Sequence, residues 1–260
     1  MKVGFLVVGV QKGGTTTLHR LLSRHPAVHM APVKGTHFFD TESHFATGHV
    51  DYSAYHASFS PQPHQTLIGE ATPIYSFWEP AARRIWEYNP DMKVIVVLRN
   101  PIERAYSHWN MERSRKREQH GFEEALAIEE RRAHAARPLQ DRDFSYVARG
   151  FYTEQLRRLA RFFPAEQRLV LRMEDVVGHE GVAVDRIWGF LGVERPAAEP
   201  LPHANQRQYA APMAEATRRM LADTFEAEIR GLERMLGWDL GSWLVERPSI
   251  TETTGKPAPR

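Results

Sequence analysis

The sequence predicts a single α/β domain in which a central parallel sheet is flanked by helices on both faces, and three observations predict it. Residues 2–8 (KVGFLVV) and 93–98 (KVIVVL) are β-branched and apolar without polar alternation. That is how a strand buried on both faces of a parallel sheet reads. Such strands alternate with stretches of helical spacing, the pattern of βα units. A glycine-rich turn, residues 9–14, separates the first strand from the first helix.

Taken in order, the first strand gives way at the glycines to a helix over 15–24. Leu18, Leu21 and Leu22 share one side of it, and Pro26 lies just past its end. Short strands are predicted at 28–30 and 66–69. The turn Asn89-Pro90-Asp91 precedes the strand 93–98, and 168–172 (RLVLR) reads as a further buried strand. Helical spacing covers 78–88, 102–114, 122–132, 150–162, 181–191 and a long amphipathic stretch, 213–236. No linker divides 1–247, so that span reads as one domain. Residues 248–260 are rich in Pro, Thr, Gly and charge and read as a disordered tail.

Composition narrows the function. Lys and Arg total 34 against 32 Asp and Glu, a net charge of +2, which argues against a strongly basic nucleic-acid binder. With no cysteine, thiolate catalysis and Cys-based zinc sites are excluded. The thirteen histidines show no HExxH-like spacing, so no metal site is expected. No apolar run approaches the roughly 20 residues of a transmembrane helix, and no export signal is visible. A cytoplasmic protein is therefore expected. The abundance of Arg and Ala suggests a GC-rich bacterial source. Oligomeric state is not legible.

The segment Gly9-Val-Gln-Lys-Gly-Gly-Thr-Thr-Thr17 carries the most chemistry. Glycines let successive N–H groups point inward around an anion, and a helix starting near Thr15 adds its positive end. Lys12 supplies a full charge, Gly13 and Gly14 the turn, and Thr15, Thr16 and Thr17 hydroxyl donors. The order departs from GxxxxGK[ST], since Gly14 rather than lysine precedes Thr15. Strand 93–98 ends in Arg99-Asn-Pro-Ile-Glu-Arg-Ala-Tyr-Ser107. Ligands of open α/β sheets sit at the carboxyl ends of strands, which places Arg99 beside the nucleotide and Ser107 two turns along the next helix. An arginine there suits a second phosphate better than Mg²⁺.

The pair GVQKGGTTTL and LRNPIERAYSHW resembles the sulfotransferases that use 3′-phosphoadenosine-5′-phosphosulfate (PAPS), in the bacterial and Golgi-type branch with the heparan-sulfate sulfotransferases. The likeness continues through residues 33–40 (VKGTHFFD), 69–75 (GEATPIY), 150–152, 163–164 and 236–240, and covers roughly 1–245. It implies a P-loop-like sulfotransferase fold. It further implies a phosphosulfate cradle over Lys12–Thr17, a 3′-phosphate site at Arg99 and Ser107, the product 3′,5′-ADP, and no metal. Arg207 resembles the remnant of a loop that closes over the cofactor. The acceptor would be a hydroxyl or amine of a small molecule or carbohydrate.

One departure touches the chemistry. Where the family reads Lys-Glu-x-His-Phe-Phe, with glutamate as general base, this chain reads Lys34-Gly35-Thr36-His37-Phe38-Phe39. His37 is the nearest ionisable substitute, with Glu70 or Asp40 as alternatives. Otherwise catalysis is impaired, whether naturally or by alteration at residue 35, and the chain only binds PAPS or 3′,5′-ADP. A P-loop kinase is the rival from another class. The run around residues 112–117 (ERSRKR) reads as a solvated helix face, and Phe38, Phe39, Tyr75, Phe77 and Trp78 as packing beneath the site.

Overall fold

Five strands, β1 (Phe5–Gly9), β2 (Val28–Met30), β3 (Leu67–Ala71), β4 (Lys93–Leu98) and β5 (Arg168–Arg172), pair in parallel in the order β2-β3-β1-β4-β5. The computed structural model describes residues 2–177, 181–196, 209 and 211–245. Its helices are α1 (Thr15–Ser23), α2 (Ser53–His56), α3 (Ala81–Tyr88), α4 (Pro101–Ser114), α5 (Phe122–Ala127), α6 (Glu129–Ala135), α7 (Tyr152–Ala160), α8 (Met173–Val177), α9 (Gly181–Leu191) and α10 (Glu215–Leu236). None of the described helices is long and apolar enough to cross a membrane.

The unbroken apolar runs of β1 and β4 serve two cores at once. Leu6, Val8, Val94, Val96 and Leu98 pack into a cluster with Ile85, Ile102, Leu156, Phe225 and Ile229 from α3, α4, α7 and α10. Phe5, Val7, Ile95 and Val97 face the opposite way, onto Leu18, Leu22, Ile187 and Trp188 from α1 and α9. Alternate residues therefore bury against helices on either side, and no polar alternation is possible.

Strand order fixes where a ligand can sit. The chain leaves β1 toward β2 on one side, whereas β4 is followed by β5 on the other. The loops after β1 and β4 diverge, and their carboxyl ends frame the crevice at the topological switch point. The ladder between these strands is interrupted between Val7 and Gly9. β1 thus leaves the sheet sharply, just where the glycine-rich segment begins.

Two expectations are revised. The helix predicted over 122–132 is broken at Ile128 into α5 and α6. The break leaves the Glu129 carboxylate, buried at the start of α6, accepting the amides of Val147 (2.8 Å) and Ala148 (2.9 Å). The run near residue 112 is not simply a solvated face. Glu112 is buried beside the Arg117 guanidinium, 2.7 Å away, and Glu118 is buried against Arg132 and Tyr146. The tail at 248–260 lies outside the described residues. Phe38, Phe39, Tyr75, Phe77 and Trp78 are all buried, as expected of packing residues.

Candidate active site

The glycine-rich loop after β1 is held by backbone contacts. Val10 donates to the Val97 carbonyl at 3.1 Å and Gly13 to the Val10 carbonyl at 2.9 Å. A Cβ on Gly13 would stand 2.3 Å from the Val97 carbonyl oxygen, a wall of backbone that cannot give way. Lys12 (φ 71°) and Gly14 (φ 87°) both adopt left-handed conformations, the strained geometry common at ligand-binding turns. Gly14 caps α1 with no side-chain hydrogen bond, and no acidic residue lies in the first turn. The amides of Gly14, Thr15 and Thr16 have no intrahelical acceptor available, and the helix presents its positive end to the same space. Thr15 and Thr17 are buried in the loop and Thr16 is exposed. These residues suit a phosphate or phosphosulfate group: amides, hydroxyls, a lysine and a glycine at which no larger residue fits.

β4 delivers the second candidate group for an anion. Arg99 follows its last residue and donates through Nη1 to the Lys12 carbonyl, 3.2 Å away, so the guanidinium lies against the loop. Its own carbonyl accepts the buried Tyr152 hydroxyl at 2.9 Å. Asn100 caps α4 by accepting from the Ile102 amide at 2.9 Å, with Pro101 in the first turn. Ser107 is buried on α4. Near these groups His108 is fully buried and neither ring nitrogen makes a hydrogen bond, though Nε2 lies 3.8 Å from Glu112 Oε1. Burial, then Arg149, Arg104 and Lys12, holds its pKa far below the ordinary imidazole value. Arg207 lies outside the described residues.

The segment after β2 reaches the same sheet edge from the β3 side. Ala31 donates to the Gly69 carbonyl (2.9 Å) and Gly35 to that of Ala71 (3.0 Å), extending past the end of β3. Thr36 then donates to the Glu70 carboxylate at 2.7 Å. Glu70 has no exposed surface, and its two oxygens also accept from Thr72 (2.6 Å), Tyr55 and Tyr75 (3.1 Å each). Burial raises its pKa, and the four hydroxyl donors oppose that shift. With every side occupied, this carboxyl holds Thr36 in place and offers no open face to an acceptor.

His37 differs in each respect. Its side chain is half exposed, it sits at φ 54°, and its Nδ1 lies 3.0 Å from Oδ2 of the buried Asp40. A carboxylate only accepts, so Nδ1 donates, and in the neutral ring the lone pair is on Nε2. Gly35 has φ +85°, and a Cβ there would stand 3.1 Å from His37 Nε2. The imidazole thus lies over the position from which the family's glutamate would rise.

Two groups at this edge were not singled out in the sequence, and a third, Lys34, entered only within the resemblance motif. Arg142, from the irregular segment before Tyr146, hydrogen-bonds both the Asp40 carboxylate and the Asp40 carbonyl. Arg149 donates to Gln11 Oε1 of the phosphate loop at 2.7 Å and to the Arg142 carbonyl. Lys34 is half-buried next to Gly35, with its pKa lowered by burial and then by Arg115. The only sequence signal was position: Arg149 directly precedes the resemblance motif at 150–152, while Arg142 sits among several surface-like charges.

With this geometry in place, the relatives fit. A family model described as a sulfotransferase domain matches residues 4–220. Heparan sulfate glucosamine 3-O-sulfotransferase 6 of Homo sapiens is 36% identical over 194 residues, covering 73% of this chain and 52% of that protein. Heparan sulfate glucosamine 3-O-sulfotransferase 3B1 of Mus musculus is 31% identical over 205 residues, 77% of this chain and 49% of that one. The chain thus spans about half the length of the curated relatives it matches. Among solved structures, a sulfotransferase from Alicyclobacillus acidocaldarius superposes with a TM-score of 0.78 at 29% identity, covering 94% of this chain and 99% of that one. The sulfotransferase domain from the curacin biosynthetic pathway (TM-score 0.54, 13% identity, 92% and 99% covered) shares the fold. The loop after β1, Arg99 at the end of β4 and the family match across both make this chain a member of the sulfotransferase-domain family.

Proposed function

We propose that the protein transfers a sulfuryl group from PAPS to a hydroxyl or amine of a carbohydrate or small-molecule acceptor, with His37 as general base. One observation carries the reading: a phosphate loop braced by Arg99 and a half-exposed imidazole held by Asp40 share one carboxyl edge of the sheet. PAPS, when bound, supplies the sulfuryl group and a leaving 3′,5′-ADP. Lys12, the amides of Gly14, Thr15 and Thr16, and the hydroxyls of Thr15, Thr16 and Thr17 are assigned to its 5′-phosphosulfate, with Gly13 shaping the turn, and Arg99 and Ser107 to its 3′-phosphate. Arg207 keeps only the role that the resemblance implies.

His37 Nε2 takes the acceptor proton while Nδ1–H remains on Asp40, whose carboxylate stabilises the imidazolium that forms. Lys12 and the α1 N-terminus oppose the charge that grows on the leaving group, and they are preorganised by the backbone. Glu70 is assigned a positioning role through Thr36 rather than proton transfer.

Calorimetric titration with 3′,5′-ADP, beside 5′-AMP and Mg·ATP, tests the cofactor. Wild type should prefer 3′,5′-ADP without added metal, and Arg99→Ala should lose that preference. A preference for Mg·ATP instead would sink the assignment and revive a kinase. For the acceptor, the relatives' names make a heparan-type glucosamine hydroxyl the first to try, followed by phenols and amines. His37→Ala should lower turnover by about 10²- to 10⁴-fold while 3′,5′-ADP binding stays intact. Gly35 favours a second reading, a nucleotide-binding protein without transfer. It predicts tight 3′,5′-ADP binding and no sulfated product from any acceptor.

A further inference from the structure

We propose that Arg142 and Arg149 are positioning residues that tie the orientation of the His37 imidazole to the phosphate loop, an inference that rests on His37 being the proton acceptor. The contacts form one unbroken path. Gln11, inside the loop, accepts from Arg149 Nη1 at 2.7 Å. Arg149 Nη2 donates to the Arg142 carbonyl. The Arg142 guanidinium holds Asp40 at its carbonyl and its Oδ2, and the same Oδ2 accepts from His37 Nδ1 at 3.0 Å.

The path is built to hold shape. Asp40 has no exposed surface, so water cannot replace Arg142 at its carboxylate. Arg149 is also buried, and its guanidinium lies 4.8 Å over the Phe77 ring. Burial, with Arg104 as the next cause, lowers its pKa to about 9, which leaves it charged at neutral pH. Arg142 lies 5.1 Å over the Trp78 ring. The segment that carries both arginines is pinned in turn, since Gln155 Nε2 donates to the Arg149 carbonyl at 3.0 Å and Arg104 to that of Tyr146.

His37 needs such support. It sits in a left-handed conformation two residues after a glycine that also does, with φ values of 54° and 85°. The local backbone alone therefore does not fix the ring. An imidazole with Asp40 out of place populates both tautomers, and only one presents a lone pair at Nε2. Arg142 thus acts on the proton acceptor through Asp40, and Arg149 sets Arg142 relative to the loop.

The test is ¹⁵N-histidine NMR on the full chain, with the His37 signals assigned by their loss in His37→Gln. Wild type should show Nδ1 protonated and Nε2 bare. Arg142→Gln should show both tautomers in exchange, and Arg142→Lys should restore most of the single tautomer. Arg149→Gln should have the same effect in weaker form. Calorimetric binding of 3′,5′-ADP within about threefold of wild type, roughly 0.7 kcal/mol, certifies that each variant is folded. Turnover gives an independent readout. Arg142→Gln should cost about 100-fold in kcat, the scale of a small misplacement of a reacting group, with the KM for PAPS nearly unchanged. That loss should vanish in the His37→Ala background, because the residue acts only through the imidazole. Unchanged His37 signals in Arg142→Gln, or an equal loss in the His37→Ala background, would overturn the proposal. Wild-type turnover in His37→Ala would instead remove the base assignment and leave the tautomer result to judge the relay alone.

Discussion

The two halves of the site are built in different ways. The side assigned to the cofactor is a backbone structure. Its loop leaves β1 through an interrupted ladder, is walled by the Val97 carbonyl and opens a helix, and Arg99 joins it by a bond to a main-chain oxygen. The side assigned to the acceptor is a side-chain structure. Thr36 on Glu70, His37 on Asp40, Asp40 on Arg142 and Arg149 on Gln11 are held by side-chain hydrogen bonds, all but the His37 contact between residues distant in sequence. Backbone geometry tolerates few residue types and is hard to lose. A side-chain network can be rewired, and Gly35 in the glutamate position is one such change.

Two glycines give the sharpest way to break this contrast. Gly13→Ala would push a Cβ to 2.3 Å from a main-chain oxygen. The loop must open to accommodate it, and 3′,5′-ADP affinity should fall by at least about 100-fold, roughly 2.7 kcal/mol, as read by calorimetry. Unaltered affinity would mean that the loop is not the nucleotide's cradle. Gly35→Glu should leave that affinity alone. It forces a side chain into a left-handed conformation, at a cost of about 1–2 kcal/mol, and presses its Cβ to within 3.1 Å of His37 Nε2. Turnover should therefore drop about tenfold, the scale of 1.4 kcal/mol, rather than rise. If the imidazole stands in for the glutamate, however, removing it makes room. The double variant His37→Ala/Gly35→Glu should then recover part of the activity that His37→Ala loses. No recovery would separate the histidine's role from the missing carboxylate.

The contrast also explains what could be read from the amino acids. Strands β4 and β5 and helix α9 were legible to the residue, because burial on two faces or on one stripe leaves a periodicity that needs no partner to interpret. The glycine-rich turn between β1 and α1 was legible because no larger residue fits at Gly13. Thr36, Arg142 and Arg149 were not. A hydrogen bond between residues more than 100 positions apart, as from Arg142 to Asp40, imposes no local pattern, and an arginine used in the core looks the same in sequence as one in water. Glu112 misled for that reason, since a run of charge is normally a solvated face.

A gentler probe of the acceptor side is Thr36→Val, which removes one of the four hydroxyls on Glu70 while keeping the shape of the side chain. The carboxylate keeps three donors, so the loss should be modest: about 1 kcal/mol of stability and a several-fold fall in kcat. 3′,5′-ADP binding should not change. Denaturant unfolding and steady-state kinetics would read both. A collapse of nucleotide binding would show that the two halves are more tightly joined than their contacts indicate.

The smallest effect at neutral pH, and the one most specific to a side-chain architecture, comes from acid. Glu118 anchors the acceptor side by accepting from Arg132 (2.6 Å), Tyr146 (2.8 Å) and the His120 amide (3.0 Å). Burial would raise its pKa, but these donors outweigh that cause and bring the carboxyl from 4.5 down to about 2. The folded-state value lies below the unfolded one, so the stabilisation is complete above about pH 4.5 and is lost as pH falls toward about 2. Wild-type stability should decline across that window, and Glu118→Gln, which cannot titrate, should decline less steeply in a denaturant series. Hydrogen exchange adds the spatial half of the test. As acid discharges Glu118, the amides around Tyr146 that precede the Arg149 turn should lose protection, while those of β1 and β4 keep theirs. Their bonds are main-chain to main-chain and have no proton to gain. Loss of protection in both regions at one pH would mean that the sheet and the charged network unfold as one unit, and that the division between the two halves is one of construction but not of stability.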